Sequence, residues 1–167
     1  MSTRPLRNAA LLIAFAGTVL IATSALASHY RLIHAAFVTD VEREALERAG
    51  IAHTKALLEW TATPTGRARL NAATGLPLER LEVLATQVDL LRVPGFGPTM
   101  VVPLQDAGIR TSADLARADS AALLKQLAVV TRGTELHHRL PADDTVRTWI
   151  AAARRLRPVL KGLPTPP

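Results

Sequence analysis

The sequence predicts an all-α fold: an N-terminal transmembrane or signal helix followed by two helical units. Three observations carry that expectation. Alanine and leucine dominate, and the composition is 49% hydrophobic with only 4% aromatic residues, a balance that favours helices over sheets. Apolar residues recur at helical spacing, and no run of strand alternation appears. Short strings also repeat. LERAGI (Leu46–Ile51) returns as LQDAGI (Leu104–Ile109) at an offset of 58, and Leu57 then matches Leu115. GLPLERL (Gly75–Leu81) resembles RLPADDT (Arg139–Thr145) at an offset of 64. Repeats of this kind mark a duplicated unit.

The first segment is residues 1–34. MSTRPLR is short and positive, through Arg4 and Arg7. Ala9–Ala27 then runs 19 residues without a charge. At ~1.5 Å per residue a helix of that length reaches ~28 Å, close to the hydrocarbon thickness of a bilayer. Positive residues ahead of the run keep the N-terminus inside and send the rest across. Two readings stay open. Ala25-Leu26-Ala27 is an A-x-A cleavage pattern, as in a signal peptide. Yet the run exceeds the usual ~7–15 residues of a signal core, and SHYRLIHAAF continues the helical pattern, with Tyr30 and Arg31 suited to headgroups. The uncleaved anchor is the favoured reading, so residues 9–27 are the expected membrane contact. In either case residues 38–160 lie on the outer side.

The first unit spans residues 35–90. Thr39 caps a helix from Asp40, with Glu42 completing a capping box, and Gly50 ends it. Thr54 is the expected cap of the next short helix. Thr63 and Pro64 start a third, since proline suits the first helical position, and Gly75 ends it. Pro77 opens a longer helix with Leu78, Leu81, Leu84, Val88 and Leu91 on one face.

The second unit, residues 91–157, repeats the scheme. Pro98 starts a helix that ends at Gly108, with Pro103 as a kink inside it. Thr111 or Ser112 caps ADLARA, and Asp119 caps SAALLKQLAVV. Pro141 opens the last helix, with an apolar stripe of Val146, Trp149, Ile150, Ala153 and Leu156 and the acids Asp143 and Asp144 at its start. Residues 158–167 form a Pro-rich tail, whose end KGLPTPP (Lys161–Pro167) is expected to fray.

These residues carry a family likeness. DLLRVPGFGP, LQDAGIRTSADLA, LLKQLAVV and RLPADDTVRTWIAAARRL together resemble an uncharacterised bacterial family of tandem helix-hairpin-helix-like units, a domain of unknown function. The resemblance covers about residues 36–157. In the first unit HAAFVTD stands where the hairpin belongs and has no glycine pair. The resemblance implies a helix-hairpin-helix fold more firmly than a function. Members of that superfamily include binders of duplex backbones and structural caps on membrane complexes. It also implies a bacterial setting: the inner membrane, single-pass, with a periplasmic C-terminal domain, or an exported soluble protein if the signal is cleaved.

Charge narrows the function classes. Residues 28–90 carry 7 Lys and Arg against 8 Asp and Glu, whereas residues 91–167 carry 11 against 6, a net +5. A basic half points to an anionic neighbour or to an arginine-rich solvated surface. The absence of cysteine excludes disulfides, thiolate metal sites and a cysteine nucleophile. There is no Walker loop, no G-x-S-x-G and no HExxH. His137 and His138 are adjacent and point ~100° apart on a helix, a poor chelate. His29, His34 and His53 have no i, i+4 partner histidine. Neither a cofactor nor a metal is expected.

Two candidate sites remain. The turn Pro94-Gly95-Phe96-Gly97-Pro98 offers close backbone approach at Gly95 and Gly97, with Arg92, Thr99 and Arg110 as candidate phosphate or DNA contacts. Against this, Pro98 lacks an N–H, and no cation stands between Pro98 and Gln105. The turn therefore reads mainly as structural, with Phe96 pointing into the core. Arg154, Arg155, Arg157 and Lys161 are candidate contacts to an acidic partner or headgroups, or simply cations favoured at a helix end. The function expected is a non-enzymatic, membrane-anchored interaction module with protein partners, such as an accessory subunit of a membrane complex. The alternative is a membrane-tethered, sequence-independent DNA binder.

Overall fold

The computed structural model describes residues 30–163; the apolar run Ala9–Ala27 lies outside them. Eight α-helices and no strands occur among the described residues. They are α1 (Asp40–Arg48), α2 (Thr54–Thr61), α3 (Pro64–Thr74), α4 (Leu78–Leu90), α5 (Val101–Asp106), α6 (Ser112–Arg117), α7 (Ser120–Val130) and α8 (Asp143–Ala153). Three short 3-10 turns sit at Leu32–His34, Pro98–Met100 and Glu135–Arg139. None of the described helices is long and apolar enough to cross a membrane.

Local sequence chemistry sets most boundaries. Thr39 and Glu42 form a reciprocal capping box on α1. The Thr63 hydroxyl accepts from Gly66 N–H ahead of Pro64, and Asp119 accepts from Ala122 N–H. Thr111, rather than Ser112, caps α6, with Asp114 as its capping-box partner. Each device satisfies N–H groups that have no partner inside the helix.

Several expectations are corrected. The cap of α2 is His53, which makes no side-chain cap bond. Thr54 is the first helical residue, and its hydroxyl accepts from Tyr30 N–H at 3.1 Å. Leu78 is 43% exposed, because it is the first residue of α4 and projects beyond the buried stripe of Leu81, Leu84, Val88 and Leu91. Pro103 produces no mid-helix break. The preceding turn, Pro98–Met100, is 3-10, and the α-helix begins only at Val101, so Pro103 is its third residue. The last helix begins at Asp143, two residues after Pro141.

Three helix pairings recur. Helix α2 lies against α4, α3 against α4 and α1 against α3; α6 lies against α8, α7 against α8 and α5 against α7. The close packing of α2 on α3 is peculiar to the first half. Contacts between α4 and α5 join the two sets. Leu46, Leu57, Leu81, Leu84, Phe96, Leu104, Leu115 and Val146 belong to one buried cluster, so a single core runs through both. Burial of each such side chain contributes about 1.5–3 kcal/mol.

Two arginines tie the outer elements down. Arg80 donates from Nε to Glu42 and from Nη2 to both Glu42 Oε2 (2.9 Å) and Phe37 O (2.6 Å). That bond to Arg80 holds the Glu42 carboxyl down at about 2, with Thr39 N–H assisting against the cost of burial. Arg67 is almost fully buried. It donates to Thr61 O at 2.9 Å, Lys161 O at 3.1 Å and Gly162 O at 2.6 Å, with Glu82 3.9 Å away.

The tail is accordingly not frayed through Leu163. Lys161 N–H donates to Ala62 O at 2.8 Å, and Arg92 holds Arg157 O at 2.9 Å. Residues 157–163 form a strap from the last helix back to α2 and α3. Gly162 fits because it lies at φ +57° and a Cβ there would approach Pro64 Cγ to 2.5 Å.

Two predictions follow from these ties. Truncation after Leu156 strands charged donors of Arg67 and lowers stability by about 1.5–3 kcal/mol. In an Arg67→Met background the same truncation costs clearly less, as urea unfolding would show. Glu42 has a depressed folded pKa, so its contribution is present above its ordinary value near 4.5 and is lost as pH falls toward 2. The loss is on the order of 2–3 kcal/mol. Glu42→Gln removes that part of the acid dependence, measured as the urea midpoint against pH.

Candidate functional site

The turn between α4 and α5 is built on a buried acid. Asp89 is 3% exposed near the end of α4. Its Oδ1 accepts from Arg92 Nη1 at 2.7 Å, and its Oδ2 accepts from Ser112 N–H at 2.8 Å and Ser112 Oγ at 2.7 Å. Ser112 is the first residue of α6, so Asp89 supplies a distant cap to a helix start, where a negative charge is favoured.

Arg92 is thereby spent. Besides Asp89 it holds Arg157 O, and its side chain is only 15% exposed. Its guanidinium is therefore already engaged within the fold, by a carboxylate and by a carbonyl. The two glycines also differ. Gly95 takes φ +77°, and its carbonyl accepts from Trp149 Nε1 at 3.2 Å. Gly97 is extended at φ −96°, ψ 163°, and a Cβ there would meet nothing within 4 Å. Only Gly95 requires the freedom of glycine.

Phe96 between them is fully buried, edge-on to Trp149 with centroids 5.5 Å apart. Its carbonyl accepts from Tyr30 Oη at 3.3 Å. The turn thus stacks three parts of the chain: the lead-in at Tyr30, the α4–α5 link and α8.

The remaining sequence candidates are dispersed. Thr99 is exposed on the 3-10 turn before α5. Arg110 is half-buried just before the α6 cap and makes no ion pair with the described residues. Arg154 donates to Ala116 O at 2.9 Å and borders a polar cleft of about 280 Å³ with Asp119, Ser120 and Arg147. Arg155, Arg157 and Lys161 are exposed, with the backbones of Arg157 and Lys161 held in the strap.

Composition and motif reading missed two features. Asp89 and Ser112 were legible only as a cation three residues after an acid on an apolar helix. An apolar cleft of about 410 Å³ was not legible at all. It is lined by Ala36, Phe37, Pro98, Val102, Val130 and Leu136 among others, drawn from three distant segments. Among the described residues no group of three or more His, Asp or Glu could hold a metal ion.

Gly95→Ala places a β-carbon in left-handed backbone and costs about 1–2 kcal/mol, whereas Gly97→Ala is close to neutral. Asp89→Ala costs about 3–5 kcal/mol by leaving a paired, poorly exposed cation without its acid. Thermal and urea unfolding of the three variants check the order.

The family model for DUF4332, a domain of unknown function, matches residues 37–156. No curated protein and no solved structure matches the chain. Because the family match covers well over half of the chain, the protein belongs to the DUF4332 family.

Proposed function

We propose that the protein is a non-enzymatic, membrane-anchored interaction module, an accessory subunit of a larger membrane complex built from two helix-hairpin-helix-like units. The run Ala9–Ala27 serves as the anchor, with the helical body on the outer side. The observation that carries the reading is how the lead-in is fastened. Tyr30 N–H donates to Thr54 Oγ1, Thr54 N–H donates to Tyr30 O, Leu32 N–H donates to Ala52 O, and Tyr30 Oη donates to Phe96 O. A body fastened this firmly, three residues after an anchor, presents fixed faces to neighbours rather than swinging on a linker. The repeated helix pairings support the two-unit reading. The exposed Arg155, Arg157 and Lys161 offer a basic face to an acidic partner surface.

The test is purification in mild detergent after cross-linking. The expected result is a stoichiometric assembly larger than the 17.9 kDa chain, weakened when Arg155, Arg157 and Lys161 are changed together to Glu while helicity is kept. A lone monomer would overturn the proposal.

A second reading, sequence-independent duplex DNA binding, draws on the net +5 of residues 91–167 and on the unspent Arg110. It predicts binding that falls steeply with salt and weakens with Arg110→Glu. No gel shift of duplex DNA at low salt would remove it.

A further inference from the structure

We infer that the apolar cleft beside the lead-in is a lipid site, taking an acyl chain of the bilayer in which the protein is anchored. The inference rests on the anchor reading of Ala9–Ala27. One bank of the cleft is Ala36 and Phe37, and the others are Pro98, Val102 and Pro103, and Val130 with Leu136. Thr99, Thr131, Thr134 and Asp106 are its polar members. At about 410 Å³ it falls in the size range of small-molecule sites, which are mostly apolar with a few polar groups.

Its position favours a lipid occupant over other apolar ones. Ala27 is three residues before Tyr30, so at most ~10 Å of chain separates the apolar run from the fastened body. Tyr30 sits on Phe96 O, two residues from Pro98 on the cleft wall. The lead-in then runs through an exposed Ile33 (61%) to Ala36 and Phe37. Among the described residues the exposed Val102 lines the cleft, and the exposed Ile33 and Val129 lie within three residues of lining positions. An apolar concentration like this, close to where a membrane segment joins, is costly in water. Near a bilayer it has a partner in place.

The chain has no cysteine, so single reporters can be placed cleanly. Val102→Cys and Leu136→Cys, with Ala121→Cys as control, are labelled with a small fluorophore in the full-length protein. Ala121 lies nine residues up α7 from Val130, ~13 Å away along the helix. Each variant is reconstituted in vesicles of phosphatidylcholine and phosphatidylglycerol, with or without lipids spin-labelled on the acyl chain. Retained helicity is checked first. Alkaline extraction is the second gate: release of the chain overturns the anchor reading and the lipid site together.

With the chain retained, quenching at positions 102 and 136 is expected to exceed that at 121 several-fold. It should decline when Val102→Asp is introduced into the Leu136→Cys chain. Equal quenching at all three positions overturns the lipid site while leaving the anchor standing. Disulfide-linked dimers through position 102 would instead identify a second copy as the occupant, and would also overturn it.

Discussion

The buried carboxylate of Asp89 is the constraint on which the arrangement depends. It joins the end of α4, the turn after it and the start of α6 through three hydrogen bonds. A buried acid loses its hydration, and that loss is offset only when its oxygens are well paired. Here the pairing is a guanidinium, a hydroxyl and an otherwise unsatisfied helix N–H. The first half solves the same problem differently. Thr54, the first residue of α2, gives its N–H to the backbone carbonyl of Tyr30. The start of the second helix is therefore capped from outside in both halves, once by a carbonyl and once by a carboxylate. With α4 and α6 fixed, Phe96 has one place to go: beneath Trp149 and against Tyr30.

The arginines have a related cause. Short helices and the segments between them leave carbonyls without a backbone partner, and arginines meet several of them. Arg67 reaches Thr61 O at the end of α2 and two strap carbonyls. Arg80 reaches Phe37 O, Arg92 reaches Arg157 O and Arg154 reaches Ala116 O. The planar, multi-donor guanidinium suits this task better than lysine does. Part of the chain's positive charge is thus spent on holding the fold. Net charge alone overstates what is left for an anionic ligand, and the hairpin loses one of its two flanking cations in this way.

Features that depend on neighbouring residues were legible in the sequence. The capping box at Thr39, the Thr63-Pro64 start, the Gly75 stop and the Asp119 cap are each decided within a few positions. Features that depend on distant partners were not. Thr54 looked like a cap because nothing nearby shows that Tyr30 will claim its hydroxyl. The strap looked like a loose Pro-rich end because Arg67 lies 94 residues from Lys161. Arg92 has one near partner, Asp89, but its bond to Arg157, 65 residues away, gave no local sign. The candidate hairpin was visible as a turn with an inward Phe96, but its Asp89 foundation was hidden in an apolar helix. The cleft needs three separated segments to meet, which periodicity does not reveal.

The cleft also occupies a place the duplication helps to explain. At the repeat offset of 58, Val38 corresponds to Phe96 and Thr39 to Gly97. Both apolar residues are buried, and each directly precedes an N-cap residue, Thr39 or Gly97. What differs is the chain leading in. The first half arrives through His34-Ala35-Ala36-Phe37, pinned at Tyr30; the second arrives through a glycine turn pinned at Asp89. Two equivalent lead-ins could interlock and fill the seam between them. These two do not, and Ala36 and Phe37 face Pro98 and Thr99 across open space. The two halves thus differ most in their lead-ins, and the apolar cleft opens where those lead-ins meet.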